Sequence, residues 1–281
     1  ARWPSTGRTE QSTCPRHFVG WRRLLNLVES MPGAGINTAW LRVISFILLL
    51  VIWGGSAYFA QSRVLPDPWT VAKVFYDHLT NGSLLFDLGI TLWRVAAAFI
   101  LAMVSGTVIG ILMGLRKRLD ILLDGWLILF LNIPALVTII LCYVWFGLTE
   151  VAAIVAVSLN KFPNVVVTLR EGTRAVDQDL LQVAKVFKVG PRRMFFKFFL
   201  PQLYPYIMVA ARSGIALIWK IVLVVELLGR SNGIGFQLSV FFQLFDIASI
   251  LAYTLAFVIV MIAVELIFIG PMDRYATRWR K

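Results

Sequence analysis

The sequence is poor in charge, and poorest in acid. Charged residues make up 15% of 281, with 15 Asp and Glu against 27 Lys and Arg. A water-soluble domain carries about 25% charged residues. With 59% hydrophobic residues and a mean hydropathy of +0.78, this chain is not an ordinary soluble globule. Cysteine is also scarce: Cys14 and Cys142 fit no metal-ligand spacing and impose no disulfide framework. His17 and His78 are too far apart to pair on a metal. No G-x-x-x-x-G-K-[ST] loop occurs, which excludes the usual cradle for ATP phosphates. No nucleophile and base converge, so the sequence points away from an enzyme and from any cofactor. The first forty residues hold no apolar core of the kind a cleavable signal peptide needs.

What the chain has instead is long apolar runs. Six can be read, at residues 41–60, 88–115, 121–146, 151–169, 201–228 and 248–270. About twenty apolar residues in a helix cross the roughly 30 Å hydrocarbon core of a bilayer. The pattern predicts an all-α membrane protein with six transmembrane helices and both termini on one side. Basic residues collect in cytoplasmic loops. With a cytoplasmic N-terminus, twenty of the 27 Lys and Arg lie inside and only Arg63, Lys73 and Arg230 outside. The remaining four, Arg94, Lys161, Arg212 and Lys220, fall within spans. The formal charge of +12 is therefore read as a membrane signature, not as affinity for nucleic acid.

Two amphipathic surface helices flank the spans. Asp67 is a natural N-cap with Pro68 at the first helical position, and Val71, Val74, Phe75, His78 and Leu79 then share one face. This helix is expected to lie flat on the outer surface. Residues 18–31, with Trp21, Leu24, Leu25 and Val28 beside Arg22 and Arg23, form its inner counterpart. Residues 1–15 are expected to be disordered. The chain thus divides into a cytoplasmic tail with an amphipathic helix (1–40) and a transmembrane domain in contact with lipid (41–281).

The most distinctive stretch is polar. Residues 170–200 carry both signs of charge between two apolar runs. Asp177 can cap a helix from Gln178, with Asp179 suited to the positive end of its dipole. Leu180, Val183, Ala184 and Phe187 then form one apolar face, while Gln182, Lys185 and Lys188 point elsewhere, and Gly190-Pro191 ends the helix. Such a helix either rests on lipid headgroups or docks a soluble partner.

The run QVAKVFKVGPRRMFFKFFLP, Gln182 to Pro201, resembles the "EAA" loop of ABC-transporter permeases. Ala184, Leu200-Pro201, Gly172, Val176-Asp177 and Leu181 match that pattern. Further matches are Leu65-Pro66 with Pro68, Trp145-Phe146-Gly147-Leu148 with Glu150, Phe162-Pro163, Pro205-Tyr206, Arg212, Trp219, Glu226 and Gly233-Ile234-Gly235. In order and spacing they resemble the importer branch that handles nitrate, taurine and alkanesulfonates. The resemblance implies an importer-permease fold, a second permease copy, cytoplasmic ATPase subunits docked on the loop helix, and an extracytoplasmic substrate-binding protein. It makes Asp177, Leu180, Leu181, Gln182, Val183, Ala184, Phe187, Lys188 and Gly190 the coupling residues. Two positions depart from the family: its opening Glu is Gln182 here and its glycine falls at Lys188, which suggests that the bend has moved to Gly190-Pro191.

Charges inside the membrane are costly, about 3 kcal/mol for each Arg or Lys at the bilayer centre. Arg212, Trp219 and Glu226 recur every seven residues along one helical face, and Lys220 lies round the helix from Arg212. With Lys161 and the break at Asn132-Ile133-Pro134, these residues read as the lining of a translocation path. They read equally as structural ion pairs, for example Lys220 or Arg94 with Glu226 or Glu265, and the break as a plain kink. Four bases against two acids within the spans lean towards an anionic cargo. The alternative, a transporter driven by an ion gradient, favours an inverted repeat and buried acids arranged for coupling; no such repeat is detected, and the acids within the spans are few.

Overall fold

A computed structural model describes residues 38–60 and 64–269. The helix expected at 18–31 and the tail 1–15 lie outside the described residues. The chain divides after Gly55 into two units, so the division falls inside the first helix, α1 (Thr38–Ala60). That helix carries an apolar window at Val43–Ala60.

The second unit is built of helices joined by short turns, with no strand among its described residues. Its elements are α2 (Pro68–Thr80), α3 (Leu84–Leu115), α4 (Lys117–Asn132), α5 (Ala135–Phe146), α6 (Glu150–Arg174), α7 (Gln178–Val186), α8 (Pro191–Met194), α9 (Leu200–Gly229), α10 (Ile234–Gln243) and α11 (Ile247–Val264). Five helices of the described chain are long and apolar enough to cross a membrane, and α4 with α5 makes a sixth if that pair counts as one. The helices begin one to four residues before the expected limits, and α6 also runs on to Arg174 through polar last turns, whereas α1, α3 and α5 end where expected and α11 ends earlier, at Val264.

The central contact is between α3 and α6. Lipid tails are as apolar as Leu, so helices in a membrane associate by close packing across small residues. On α3, Ala98, Ala102, Gly106, Gly110 and Gly114 recur every four residues. A Cβ at Gly106 would lie 2.7 Å from Val165 Cβ, and one at Gly110 would lie 2.7 Å from the Val166 carbonyl oxygen. These glycines let the two backbones approach.

The order of these contacts settles a topological point. Ser158 donates to the Ala98 carbonyl, Val165 meets Gly106, Leu169 meets Gly110 and Thr173 meets Gly114. Both numbers rise together, so α3 and α6 run parallel. The intervening α4 and α5 must therefore carry the chain back across the layer. They are 16 and 12 residues long, about 24 and 18 Å, and neither alone spans ~30 Å. The two are bent by 100° at the break. The run expected at 121–146 is thus one broken span, with a far sharper break than a kink. Pro134 has no N–H to continue the helix, Ile133 is extended, and the Asn132 side chain donates to the Ile128 carbonyl at 2.7 Å.

The remaining helices alternate. α9 runs antiparallel to α6, with Tyr206 against Gly172 and Ser213 beside Lys161. The Trp219 and Phe257 rings meet at 5.4 Å, tying α9 to α11. α2 does more than lie on a surface: Val71 is buried, and His78 Nε2 sits 3.0 Å from Ser249 Oγ at the start of α11. The expected cap is present. Asp67 accepts from Thr70, whose hydroxyl and amide hold the carboxyl below its ordinary range.

Gly110→Ala should destabilise the detergent-solubilised protein by about 1–3 kcal/mol through overpacking. Gly89→Ala, on the same helix with nothing within 4 Å, should be neutral or slightly stabilising. Thermal melts of the two variants check this, and equal melts would contradict the glycine-mediated contact.

Candidate functional site

Three features bring the polar residues together: a cavity, a charged clamp and a loop helix. The cavity, about 590 Å³, lies between α9 and α11. Its walls include Arg212, Ser213, Trp219, Lys220, Met261 and Glu265. Lys220 Nζ stands over the Trp219 ring, 5.4 Å from its centre. Lys161 approaches from behind, on α6. It is buried, and Nζ donates to Ser213 Oγ at 3.2 Å. Asn132 and Pro134 sit at the break between α4 and α5 and are not among the cavity walls.

Glu226 is not among the cavity walls either. It is fully buried and accepts from Arg94 Nη1 at 2.7 Å. Arg94 also grips Glu150 through two parallel bonds, Nε to Oε2 at 2.9 Å and Nη2 to Oε1 at 2.6 Å. Its remaining contacts are the Asn232 carbonyl and Oδ1. Residues seven apart on a helix drift by ~20° per heptad. Over two heptads the drift turns Glu226 away from Arg212 and towards α3. The ion pair considered for Arg94 is thus formed with Glu226, and Lys220 takes no part in it.

The clamp also seats the start of α10. Gly233, Ile234 and Gly235 donate their amides to Asp87 Oδ1, Thr91 Oγ1 and Glu226 Oε2, each at 2.9 Å. Orphan amides and the positive dipole end of a helix N-terminus favour such anionic partners. Gly233 has φ +102°, and a Cβ there would stand 2.6 Å from Glu226 Cδ, so only glycine fits. Arg230 adds a bond to Glu150 Oε1 and one to the Leu148 carbonyl. At the opposite end, Arg170 pairs with Asp124 at 2.6 Å and Arg174 with Asp120. These pairs are partly exposed and contribute little.

The loop helix α7 is capped as expected: Asp177 Oδ1 accepts from the amides of Asp179 and Leu180. Its apolar face, however, is divided. Ala184 is 2% exposed, and Leu181 packs against the group of Val165, Leu169, Phe199 and Leu203. Leu180, Val183 and Phe187 are 41%, 51% and 77% exposed. Ala184 and Leu181 seat the helix, and the other three face outward. Gln182 and Gly190 are exposed. The bend stays at Lys188, with φ +53°, and does not move to Gly190, whose φ is −61°. The Val189 amide donates to the Ala184 carbonyl and the Lys188 amide to that of Lys185. This Schellman closure needs a left-handed residue, usually glycine, and here Lys188 bears the cost of about 1–2 kcal/mol.

Sequence reasoning missed Asp87, Thr91, Asn232 and Ser213, and did not connect Glu150 with Arg94. Only Gly233-Ile234-Gly235, a turn glycine before a helix, signalled that amides there need partners.

Comparison with known proteins agrees with this architecture. The family described as "binding-protein-dependent transport system inner membrane component" matches residues 106–281. A putative aliphatic sulfonates transport permease of Bacillus subtilis is 30% identical over 235 residues, 83% of this chain and 85% of that protein. A nitrate import permease of Leptolyngbya laminosa is 27% identical, over 74% of this chain and 77% of that one. A bicarbonate transport system permease of Synechocystis is 29% identical, over 62% and 64%. A crystal structure of an amino acid ABC transporter with histidines superposes with a TM-score of 0.53 at 18% identity, covering 73% of this chain and 96% of that one. At that identity the superposition supports the fold alone.

Breaking the clamp from one side should be costly. Arg94→Met leaves Glu226 charged and buried, and should destabilise by about 3–5 kcal/mol. Adding Glu226→Gln should restore much of the loss. Melting temperatures of single and double variants decide this, and strictly additive losses would contradict a paired role.

Proposed function

The chain belongs to the binding-protein-dependent transport system inner membrane component family, and from that premise we propose how this multi-pass ABC-importer permease works. It forms one half of a translocation path for a small anion, with a second copy as the other half. ATP hydrolysis takes place on separate subunits. The loop helix α7 is cytoplasmic, as are both termini, in keeping with the basic residues of that side. The clamp then lies at the extracytoplasmic end, where a substrate-binding protein delivers cargo, and lipid surrounds the outer apolar faces.

The observation that carries the coupling role is the divided face of α7. A helix seated by Ala184 and Leu181 still exposes Leu180, Val183 and Phe187. Apolar side chains held out on a seated loop are suited to the groove of a partner. Gln182 and Lys188 lie beside that surface, so the family's missing Glu and Gly alter the rim of the contact. Motion of the ATPases against α7 passes through the π-helical turn Phe195–Phe199 into α9, which carries Arg212, Ser213, Trp219 and Lys220.

The preference for an anion rests on the cavity, whose described lining residues include the bases Arg212 and Lys220 and one acid, Glu265. The names of the relatives are consistent with it, since sulfonates, nitrate and bicarbonate are all anions. Which anion is carried depends on the binding protein as well as on this chain.

Phe187→Asp places a charge on the outward face and should abolish co-purification of the ATPase and ATP-driven uptake, with the melting temperature of the permease unchanged. In the same preparation, cysteines at Lys117 and Ser231 in a background lacking Cys14 and Cys142 should label from opposite sides, Lys117→Cys from the cytoplasm. Normal ATPase capture by Phe187→Asp, or labelling of Lys117→Cys from outside, would overturn the reading.

A further inference from the structure

Among the described residues, Lys161 is the buried charge with the fewest compensating partners. It is 2% exposed in the middle of α6, and among the described residues no acid pairs with it. A buried ammonium without a counter-ion is strongly unfavourable. Arg94, at a comparable burial, has two carboxylates. A cost left standing at one position and cancelled at another calls for a reason.

The surroundings supply one. Gly214 leaves the space that the lysine stem occupies: a Cβ there would lie 3.2 Å from Lys161 Cε. The stem passes this gap, and Nζ donates to Ser213 Oγ at 3.2 Å. Ser213 belongs to the wall of the cavity that also holds Arg212 and Lys220. Lys161 has no acceptor role, so the serine oxygen must accept from it. The hydroxyl hydrogen is thereby committed to donate, and at present it reaches the Ala210 carbonyl at 3.2 Å. Rotation about the Cβ–Oγ bond leaves the oxygen on Lys161 and frees the hydrogen to turn from that carbonyl towards the cavity.

Resting on the reading of the cavity as an anion path, we infer that Lys161 and Ser213 form the buried half of an anion subsite. Its ligand is a small oxyanion or halide-sized anion. Arg212 and Lys220 attract the anion from the wall. Ser213 donates to it, and Lys161 fixes the direction of that donation and adds its own positive charge from behind. The missing counter-ion of Lys161 is the transported anion itself. Lys161 is thus a positioning residue acting through Ser213, and Trp219, on the same wall, reports occupancy.

The test uses the purified permease–ATPase complex and iodide, which quenches nearby tryptophan. Quenching lost in Trp219→Phe isolates the cavity signal from the other tryptophans. That signal should saturate with iodide and be displaced by methanesulfonate, while neutral acrylamide quenches without saturation. Lys161→Met should raise half-saturation about tenfold, the loss expected for a hydrogen bond to a charged group. Ser213→Ala should do the same. Lys161→Met should also melt higher than the native complex without anion, and lose the stabilisation that methanesulfonate gives. A merely structural lysine predicts the reverse: unchanged half-saturation and a lower melt. Unchanged iodide binding in Lys161→Met overturns the inference alone, as does unchanged binding in Ser213→Ala should the lysine variant fail to assemble. A native cavity signal that never saturates overturns the anion reading of the cavity together with it.

Discussion

Arg94 and Glu226 are two charges that a bilayer would reject singly and accepts as a pair. An unpaired Arg or Glu at depth costs several kcal/mol, and the pair removes most of that cost only if the geometry is close and the remaining polar atoms are satisfied. Here they are. Arg94 also holds Glu150 and Asn232, while Glu226 also takes Thr91 and the Gly235 amide. One network therefore fixes α3, the starts of α6 and α10, and the end of α9. With that end pinned and the α3–α6 contact packed through glycine, α9 is positioned along its length, and the cavity side of α9 is free to present polar groups.

The contrast between clamped and unclamped charges organises the site. Arg94, Glu150 and Glu226 are consumed by one another, which makes them struts. Among the described residues, Lys161 meets the Ser213 hydroxyl and Lys220 stands over the Trp219 ring. A membrane protein tolerates such charges where water or cargo meets them. The same logic separates the two faces of α7. Ala184 and Leu181 are spent on seating the loop, whereas Leu180, Val183 and Phe187 remain available to a partner.

Much of this was legible in the sequence, and the limits have physical causes. Helix positions followed from apolar run length, the α2 and α7 caps from Asp67 and Asp177, and membrane character from charge content. The Arg94–Glu226 pair was one of several pairings that spacing allowed, since intervals along one helix do not reveal which neighbour packs there. Glu226 shares a heptad register with Arg212, yet helical drift and the crossing of α3 separate their surroundings. The split face of α7 was hidden for a similar reason: periodicity identifies an apolar side but not which of its residues meets the body of the protein. Lys188 in a left-handed conformation was missed because glycine is the expected occupant, and the Schellman closure overrode that preference. The parallel run of α3 and α6 already follows from one span lying between them, whereas the 100° bend that breaks that span does not follow from apolar run length.

The central claim is that the α9–α11 cavity is a charge-selective passage whose access alternates with the ATPase cycle. Ala216 lies on its wall, and a cysteine there, in a background lacking Cys14 and Cys142, reports access directly. In the assembled complex an anionic methanethiosulfonate should modify Ala216→Cys from one side of the membrane without nucleotide and from the other side when the ATPases are trapped closed. It should also react faster than its cationic counterpart. Reactivity from the same side in both states, or a preference for the cationic reagent, would contradict the account.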